Sequence, residues 1–225
     1  MKKIVSTIML CMFLGLLTGC GLTTDDDKVY DIFYYKEVNG YAEVYKLTDD
    51  GLKRTFIDFP TEINGLPVKL GSVVSLFFTD SHKSIESEKL EVIIVRRGIT
   101  ILWGAFSKSP NLKYVILLDD EKIEIEGPFE IDAEVIVVES LLEIYQKSHP
   151  VYFTASKAAF YDGNELYFLS YDDEDHVKEP EPPTKEGYTF IGWSQTSSTD
   201  NLYDFTNPAP TSKSITLYAV WTNNE

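Results

Sequence analysis

Cysteine and histidine, whose side chains supply thiolate nucleophiles, general bases and most zinc ligands, are both rare in this sequence. Cys11 lies inside an apolar run at residues 4–17, and Cys20 follows that run after Thr18 and Gly19. The histidines have no zinc-site spacing such as His-Glu-x-x-His; they are His82, His149 and His176. A Gly-x-Ser-x-Gly elbow and a phosphate-binding glycine loop are also missing. The sequence therefore predicts no catalytic residue, no metal site and no cofactor.

The residues before Cys20 have the pattern of an export signal. A basic start, Met1-Lys2-Lys3, precedes the apolar run, and small residues precede the cysteine. The run is short for a membrane span, which needs about 20 apolar residues. Leu17-Thr18-Gly19-Cys20 resembles a bacterial lipobox. The resemblance implies that residues 1–19 are a signal peptide, that Cys20 is acylated, for example with palmitate, and that the protein is lipid-anchored on the extracytoplasmic face of the cell membrane.

Removal of such a signal would leave a strongly acidic chain without a free thiol. Lys2 and Lys3 leave with it, so the 20 Lys and Arg fall to 18 against 36 Asp and Glu, a net charge of −18. Acylation of Cys20 would exclude disulfides and thiolate metal sites. The acidic surface argues against a nucleic-acid partner, because binding to phosphates needs clustered Lys and Arg. The acidic run at residues 172–175 could hold calcium, but it lacks the EF-hand pattern, which favours a solvated turn.

A polar segment at residues 20–28 is interpreted as a flexible tether, and a hairpin follows it. Asn39-Gly40 is the strongest two-residue hairpin signal. It predicts that Val38 pairs with Tyr41, Lys36 with Glu43 and Tyr34 with Tyr45. The many tyrosines could form a sugar-stacking face or simply cover a half-exposed sheet.

An internal repeat with a period near 22 occupies the middle of the chain. Leu90, Ile93 and Val95 match Leu112, Val115 and Leu117, at an offset of 22. Leu102, Gly104 and Phe106 match Ile125, Gly127 and Phe129 at 23, and Ala133, Ile136 and Val138 continue the first block at 21. Short units of this kind must stack to bury their apolar sides. The repeat predicts a solenoid in which Phe106 and Phe129 fill equivalent layers.

Several motifs in residues 29–150 resemble BspA-like leucine-rich repeats. They are Ile63-Asn64-Gly65-Leu66-Pro67-Val68, Gly104-Ala105-Phe106, Asn111-Leu112-Lys113, and a terminal helix near residues 141–147. Val73-Val74 and Pro128 depart from the family pattern. The resemblance implies a short leucine-rich-repeat-like β solenoid of three or four units.

Residues 151–225 resemble the Listeria–Bacteroides repeat, the B repeat of internalin B. The motifs are Pro183-Thr184, Gly187-Tyr188-Thr189-Phe190-Ile191-Gly192-Trp193, Tyr203-Asp204-Phe205 and Leu217-Tyr218-Ala219-Val220-Trp221. The family's early strand would be residues 151–156, with a turn at 157–159 in place of the usual Asn-Gly-Gly. The resemblance implies a small β-grasp-like module, and we expect its structural core to contain Phe190, Trp193, Phe205, Tyr218 and Trp221.

The fold class predicted for the whole chain is mainly β. The function that the sequence favours is a non-enzymatic cell-surface lipoprotein that displays repeat modules for adhesion, with an unidentified protein or glycan ligand. A structural spacer or envelope-organising subunit is the alternative from a different class. A surface hydrolase, or its substrate-binding subunit, is a third and predicts a deep pocket with a shifted carboxylate.

Overall fold

The computed structural model describes residues 27–76, 79–102, 104–127, 131–148, 153–171, 175–211 and 213–224. The protein is mainly β, as predicted: a solenoid of short stacked strands precedes a small β-grasp-like module. An α-helix, α1 (Glu139–Gln146), lies between the last two strands of the solenoid. Within these ranges, no helix has the length and apolar character needed to cross a membrane.

Two sheets form opposite walls of the solenoid. The first, sheet A, has the order β1-β2-β3-β6-β10-β12, with β5 paired to β6. Its strands are β1 (Lys28–Tyr30), β2 (Phe33–Val38), β3 (Tyr41–Leu47), β5 (Glu62–Ile63), β6 (Leu66–Leu70), β10 (Thr100–Leu102) and β12 (Glu124–Glu126). The second, sheet B, is parallel and has the order β14-β13-β11-β9-β4. Its strands are β4 (Phe56–Asp58), β9 (Val92–Arg96), β11 (Tyr114–Leu118), β13 (Glu134–Val137) and β14 (Phe153–Ala155). A separate hairpin joins β7 (Ser72–Leu76) to β8 (Thr79–Lys83).

The hairpin predicted at Asn39-Gly40 joins β2 to β3. Both turn residues have positive φ, 51° and 82°, as a two-residue turn of this type requires. Val38 pairs with Tyr41 and Lys36 with Glu43, as predicted. The expected pairing of Tyr34 with Tyr45 is wrong, because a bulge shifts the register and Tyr34 pairs with Lys46.

The repeat period is confirmed between β9 and β11 and needs correction elsewhere. Ile93 pairs with Val115 at the predicted offset of 22. Between β10 and β12 the offset is 24, with Ile101 opposite Ile125, and between β11 and β13 it is 20, with Val115 opposite Val135. The predicted matches of Leu102 with Ile125 and of Val115 with Ile136 are therefore one residue out of register. A slip of one residue moves a side chain to the other face of the sheet.

A column of phenylalanine rings fills the solenoid between the two sheets. The ring centroids of Phe33 and Phe59 are 5.2 Å apart, and those of Phe59 and Phe106 are 6.1 Å apart. All three side chains are buried. Phe106 thus lies in the stacked layers as predicted, whereas Phe129 lies outside the described residues. The column begins earlier in the chain than the repeat, at the hairpin strand β2.

Helix α1, predicted near residues 141–147, closes the far end of the solenoid through Tyr145. The Tyr145 ring stacks on Phe153 at 4.7 Å, and its hydroxyl accepts a 2.7 Å hydrogen bond from the amide of Ile123. The side chain is buried, and this burial raises the pKa of Tyr145 to about 12. The phenol therefore links the helix to a loop between two solenoid strands.

The raised pKa of Tyr145 predicts a loss of stability at alkaline pH. The unfolded phenol ionises near pH 10, so between about pH 10 and 12 the unfolded chain releases a proton that the folded protein retains. The stabilisation is fully present below pH 10 and is lost as pH rises through 12. Urea titrations across this range should show a smaller fall in the free energy of unfolding for Tyr145→Phe than for wild type. For Tyr188→Phe, at an exposed site, the free energy of unfolding should fall with pH as much as for wild type. An equally large fall in Tyr145→Phe would show that burial of Tyr145 is not the cause.

The C-terminal module is a four-stranded mixed sheet of order β16-β15-β18-β17. Its strands are β15 (Ala158–Asp162), β16 (Glu165–Leu169), β17 (Tyr188–Ser194) and β18 (Ile215–Asn223). The turn expected at residues 157–159 is wrong, because Ala158 begins a strand and the chain turns at Gly163, with φ of 61°. The preceding strand, β14, pairs with β13 of the solenoid instead of joining the module's sheet.

Candidate functional site

The predicted lipidation site, Cys20, lies outside the described residues, together with the rest of the signal and most of the tether. The description begins at Asp27, whose carboxylate accepts a hydrogen bond from the hydroxyl of Tyr45. Lys28, the last residue of the predicted tether, already pairs with Tyr35 as the first residue of β1. It also forms a 2.7 Å ion pair with Glu37. The chain is thus attached to sheet A from Asp27 onward.

Most of the residues expected in the core of the module surround Trp193. Its buried ring lies 4.9 Å from Phe160 and 5.3 Å from Phe190, both in edge-on geometry. Phe205 is half-buried and packs against the same cluster. Trp221 contacts Phe190 at 5.5 Å, and its indole N–H donates a 2.9 Å hydrogen bond to the Asp162 carboxylate.

Tyr218 differs from the expectation, because it lies on the other face of the module's sheet. Its neighbour Leu217 is fully buried in the Trp193 cluster, so alternation along β18 turns Tyr218 away from that cluster. The Tyr218 ring lies 5.9 Å from Tyr161, which packs against the solenoid. Because the other face of the module's sheet lies toward the solenoid, an aromatic residue of β18 such as Tyr218 can be placed outside the module's own core.

Truncating Trp193 should destabilise the protein strongly. Trp193→Ala removes a fully buried ring, and we expect the free energy of unfolding to fall by about 3–5 kcal/mol. Tyr188→Ala, on the same strand but at an exposed position, should change it by less than about 1 kcal/mol. Urea denaturation followed by circular dichroism measures both, and equal effects would contradict the burial of Trp193.

Strand β15 separates two apolar cores by simple alternation. Ala158 and Phe160 face the Trp193 cluster, whereas Ala159 and Tyr161 pack into the large cluster of the solenoid. A strand with only one buried face would alternate between apolar and polar residues. The unbroken apolar run in β15 therefore reflects a sheet that lies between two cores.

The outward face of sheet B is covered by this module. Ile94, Ile116 and Ile136 point away from the Phe column, yet they are only 5%, 3% and 3% exposed. They belong to one apolar cluster with Leu166 and Leu169 of the module. Repeat solenoids often use such an exposed sheet face to bind partners. Here that face is an internal interface and is closed to a ligand.

A groove remains open beside the interface, and Arg96 lies at its centre. Its first part, about 670 Å³, runs along β4 and is bounded on the other side by residues 30–33. Its second part, about 680 Å³, is bounded by Arg96, Arg97 and Asp119 from the solenoid and by Asp162 and Glu165 from the module. A third recess of about 330 Å³ continues from Arg96 past Tyr167 to Pro182 and Pro183. We call the three together the Arg96 groove.

Ion pairs hold the guanidinium groups of the Arg96 groove in place. Arg96 donates two hydrogen bonds to the Asp58 carboxylate at 2.9 and 2.7 Å, and this contact raises the pKa of Arg96. Arg97 pairs with Glu121 and lies 3.9 Å from Asp120. Such exposed pairs contribute little to stability. Their effect is to orient the positive charges along the groove.

The groove carries a surplus of negative charge. The described residues that line it include three arginines and seven carboxylates, which are Asp31, Asp58, Glu62, Asp119, Asp120, Asp162 and Glu165. Burial raises the pKa of Asp119, although its carboxylate accepts a 2.9 Å hydrogen bond from the amide of Glu121. A neutral or positively charged ligand suits this lining better than an anion.

The outward face of sheet A is the other broad exposed surface, and its tyrosines are partly covered. Lysine ammonium groups lie over the rings of Tyr34, Tyr41 and Tyr45, at 4.2–4.8 Å from the ring centroids. Lys69, which lies over Tyr41, also forms a 2.8 Å ion pair with Glu126. One face of each ring is thus occupied by the protein itself, which favours a covering role over sugar stacking.

Sequence reasoning missed the Arg96 groove. Asp58 and Arg96 are 38 positions apart in the chain, and Asp162 comes from a different unit. No motif spacing links them, since they meet only when β4 pairs with β9 and the module docks. An available signal was the apolar run in β15, which indicates a sheet covered on both faces. Within the described ranges, no cluster of three or more His, Cys, Asp or Glu is placed to hold a metal ion.

Comparison with known proteins finds similarities for the C-terminal part of the chain. Residues 151–220 match the Listeria–Bacteroides repeat domain. A segment of 48 residues, which is 21% of this chain, is 46% identical to internalin H of Listeria monocytogenes. The chain spans about 9% of the length of that relative. No solved structure gives a significant match. Both sequence matches fit a surface-associated repeat protein.

Proposed function

We propose that this protein is a non-enzymatic bacterial lipoprotein that binds a protein or glycan partner. Lipid on Cys20 holds it at the cell surface. The lipobox-like residues support the anchor, and the Listeria–Bacteroides repeat supports a role at the surface. The motifs that resemble BspA-like leucine-rich repeats, together with the parallel stacking of sheet B, support a repeat scaffold built for display. Adhesion to a host or neighbouring cell is the concrete form of the proposal.

The observation that carries the proposal is the Arg96 groove. Its three parts share Arg96 as a lining residue and extend from residues 30–33 of the solenoid to Pro182 and Pro183 of the module, so that both units supply its walls. Because the module covers sheet B, this groove is a concave surface that both units still offer to a partner. Its polar, acidic lining suits a recognition surface exposed to water.

A capture experiment tests the proposed function. Soluble protein that begins at residue 20 and carries Cys20→Ser is immobilised and exposed to host-cell, matrix and bacterial-envelope extracts. We expect specific components to be retained. The double variant Glu62→Lys/Glu165→Lys, which reverses the charge of two exposed carboxylates of the groove, should retain at least about tenfold less, whereas Lys53→Ala, which removes an exposed pair with Asp50 outside the groove, should behave as wild type. Retention of nothing above background, or equal retention by both variants, would contradict the proposal.

The docked module also favours a second function, a spacer or envelope-organising subunit. Its interface with the solenoid is apolar and buried, so the two units form a continuous structure instead of two beads on a linker. Such a structure could set a fixed distance between the membrane and another envelope protein. Cross-linking in intact cells separates the two functions, since a spacer should yield only neighbouring proteins of the same cell.

A further inference from the structure

The two sheets of the solenoid do not end at the same level. On the N-terminal side, sheet A continues beyond β3 with β2 and β1, whereas sheet B ends at β4. Phe33 of β2 nevertheless packs on Phe59, so the layer of β2 is part of the core. The result is a step beside β4, which forms the first part of the Arg96 groove.

The free edge of β4 presents backbone groups to this step. The Thr55 carbonyl accepts from the amide of Val92, and the amide of Phe59 donates to the Ile94 carbonyl, so these groups face β9. Backbone groups alternate in direction along a strand. The N–H and C=O groups of Phe56 and Asp58 therefore point to the groove, where the described residues provide them with no hydrogen-bond partner.

The β4 edge is short and contains one charged residue, Asp58, whose carboxylate is paired with Arg96. No proline or lysine lies in β4, and the Phe56 side chain is 45% exposed. The module's edge strand β17 is different, because the amide of Tyr203 already donates a 2.7 Å hydrogen bond to the Trp193 carbonyl and Leu202 lies against Gly192. Of these two edges, β4 is the one with a groove along it.

We propose that an extended, basic segment of a partner protein adds to β4 as a further strand of sheet B. Backbone hydrogen bonds to Phe56 and Asp58 give such a segment its register, as in other cases of strand addition. Its positive side chains would face the carboxylates that line the groove beside β4, including Asp31 and Glu62. This proposal rests on the proposed surface-binding function and specifies the partner's chemistry.

A defined peptide and one pair of variants test the strand addition. The probe is a fluorescent peptide of about eight alternating Lys and Val residues, and the matched control peptide has Glu in place of Lys. Phe56→Pro removes the outward N–H, which edge strands tolerate, without touching the ladder with β9. Phe56→Ala removes the same ring but keeps the N–H. The thermal midpoints of both variants are measured first, to verify folding.

We expect the Lys peptide to bind saturably and to protect the amides of Phe56 and Asp58 from hydrogen exchange. Phe56→Pro should weaken binding at least about tenfold and Phe56→Ala only about two- to threefold. Absence of binding, equal affinity for the Glu peptide, or equal affinity of the two variants would overturn the proposal. If Phe56→Pro still captures the partners that wild type captures from extracts, strand addition fails while the proposed surface-binding function stands. Wild type that captures nothing contradicts the function itself.

Discussion

Ile116→Ala should destabilise the C-terminal module although Ile116 belongs to the solenoid. The side chain lies on the outward face of sheet B and packs in one cluster with Leu166 and Leu169 of the module. Replacement of a buried isoleucine by alanine costs about 2–5 kcal/mol, through lost burial and the cavity that remains. Because both units share this core, we expect them to unfold in a single transition that shifts as a whole.

Tryptophan fluorescence can report on the module alone. In a Trp103→Phe background the remaining tryptophans are Trp193 and Trp221, both in the module. Their urea midpoint should move with Ile116→Ala by the same amount as the circular dichroism midpoint. Ile144→Ala, at an exposed site of α1, is the control and should move neither. A fluorescence midpoint that stays in place in Ile116→Ala would mean that the module folds independently of sheet B.

Cys20→Ala should release the protein from membranes. An acyl chain contributes about 0.8 kcal/mol for each buried methylene, and stable anchoring needs more than one chain. Without the Cys20 thiol the proposed lipid cannot be attached, so the membrane-bound fraction should fall from nearly all of the protein to nearly none. Fractionation of cells followed by immunodetection measures this change.

Cys11→Ala is a matched control for the anchor. Cys11 lies within the apolar run and would be removed with the signal, so its replacement should leave the protein membrane-bound. If the Cys20→Ala protein remains in the membrane fraction as an unprocessed chain, the apolar N-terminus itself is the anchor and the lipoprotein interpretation is wrong.

Local sequence signals predicted the elements well, because they depend on neighbouring residues. Asn39-Gly40 predicted a turn, because only a few residue types readily adopt its positive φ values. The apolar residues of β9 and β11 predicted the offset of 22 residues between these two strands. The bulge beside Tyr34 has no signal in the local pattern, and it lies opposite the part of β3 next to the residues that pair with β6. Local patterns determine which residues form a strand, and neighbouring strands then determine its register.

The pairing of β12 and β13 shows why a sequence repeat alone can give the wrong strand register. Leu102 and Ile125 looked equivalent because both are apolar, but it is Ile101 that pairs with Ile125. Ile136 was matched to Val115 because both are apolar, but it is Val135 that pairs with Val115. Once the module covers the outward face, both faces of β13 require apolar residues, and alternation no longer distinguishes them.

The Arg96 groove was beyond sequence reasoning for a related reason. Its residues are polar and widely separated, and such residues are common on any surface. Only the docking of the module brings Asp162 and Glu165 opposite Arg96 and Arg97. The seating of the module on sheet B therefore both closes one face of the solenoid and creates the groove.

Thiol accessibility tests this claim most directly, because the chain has two cysteines and a Cys20→Ser protein that begins at residue 20 has none. Ala159→Cys places one thiol on the face of β15 that contacts the solenoid, where Ala159 is 8% exposed. Ser107→Cys, at an exposed turn, is the reference. We predict that Ala159→Cys reacts with a thiol reagent at least about a hundredfold more slowly than Ser107→Cys in the folded protein and equally fast in urea. Equal rates without urea would show that the module is not seated on sheet B.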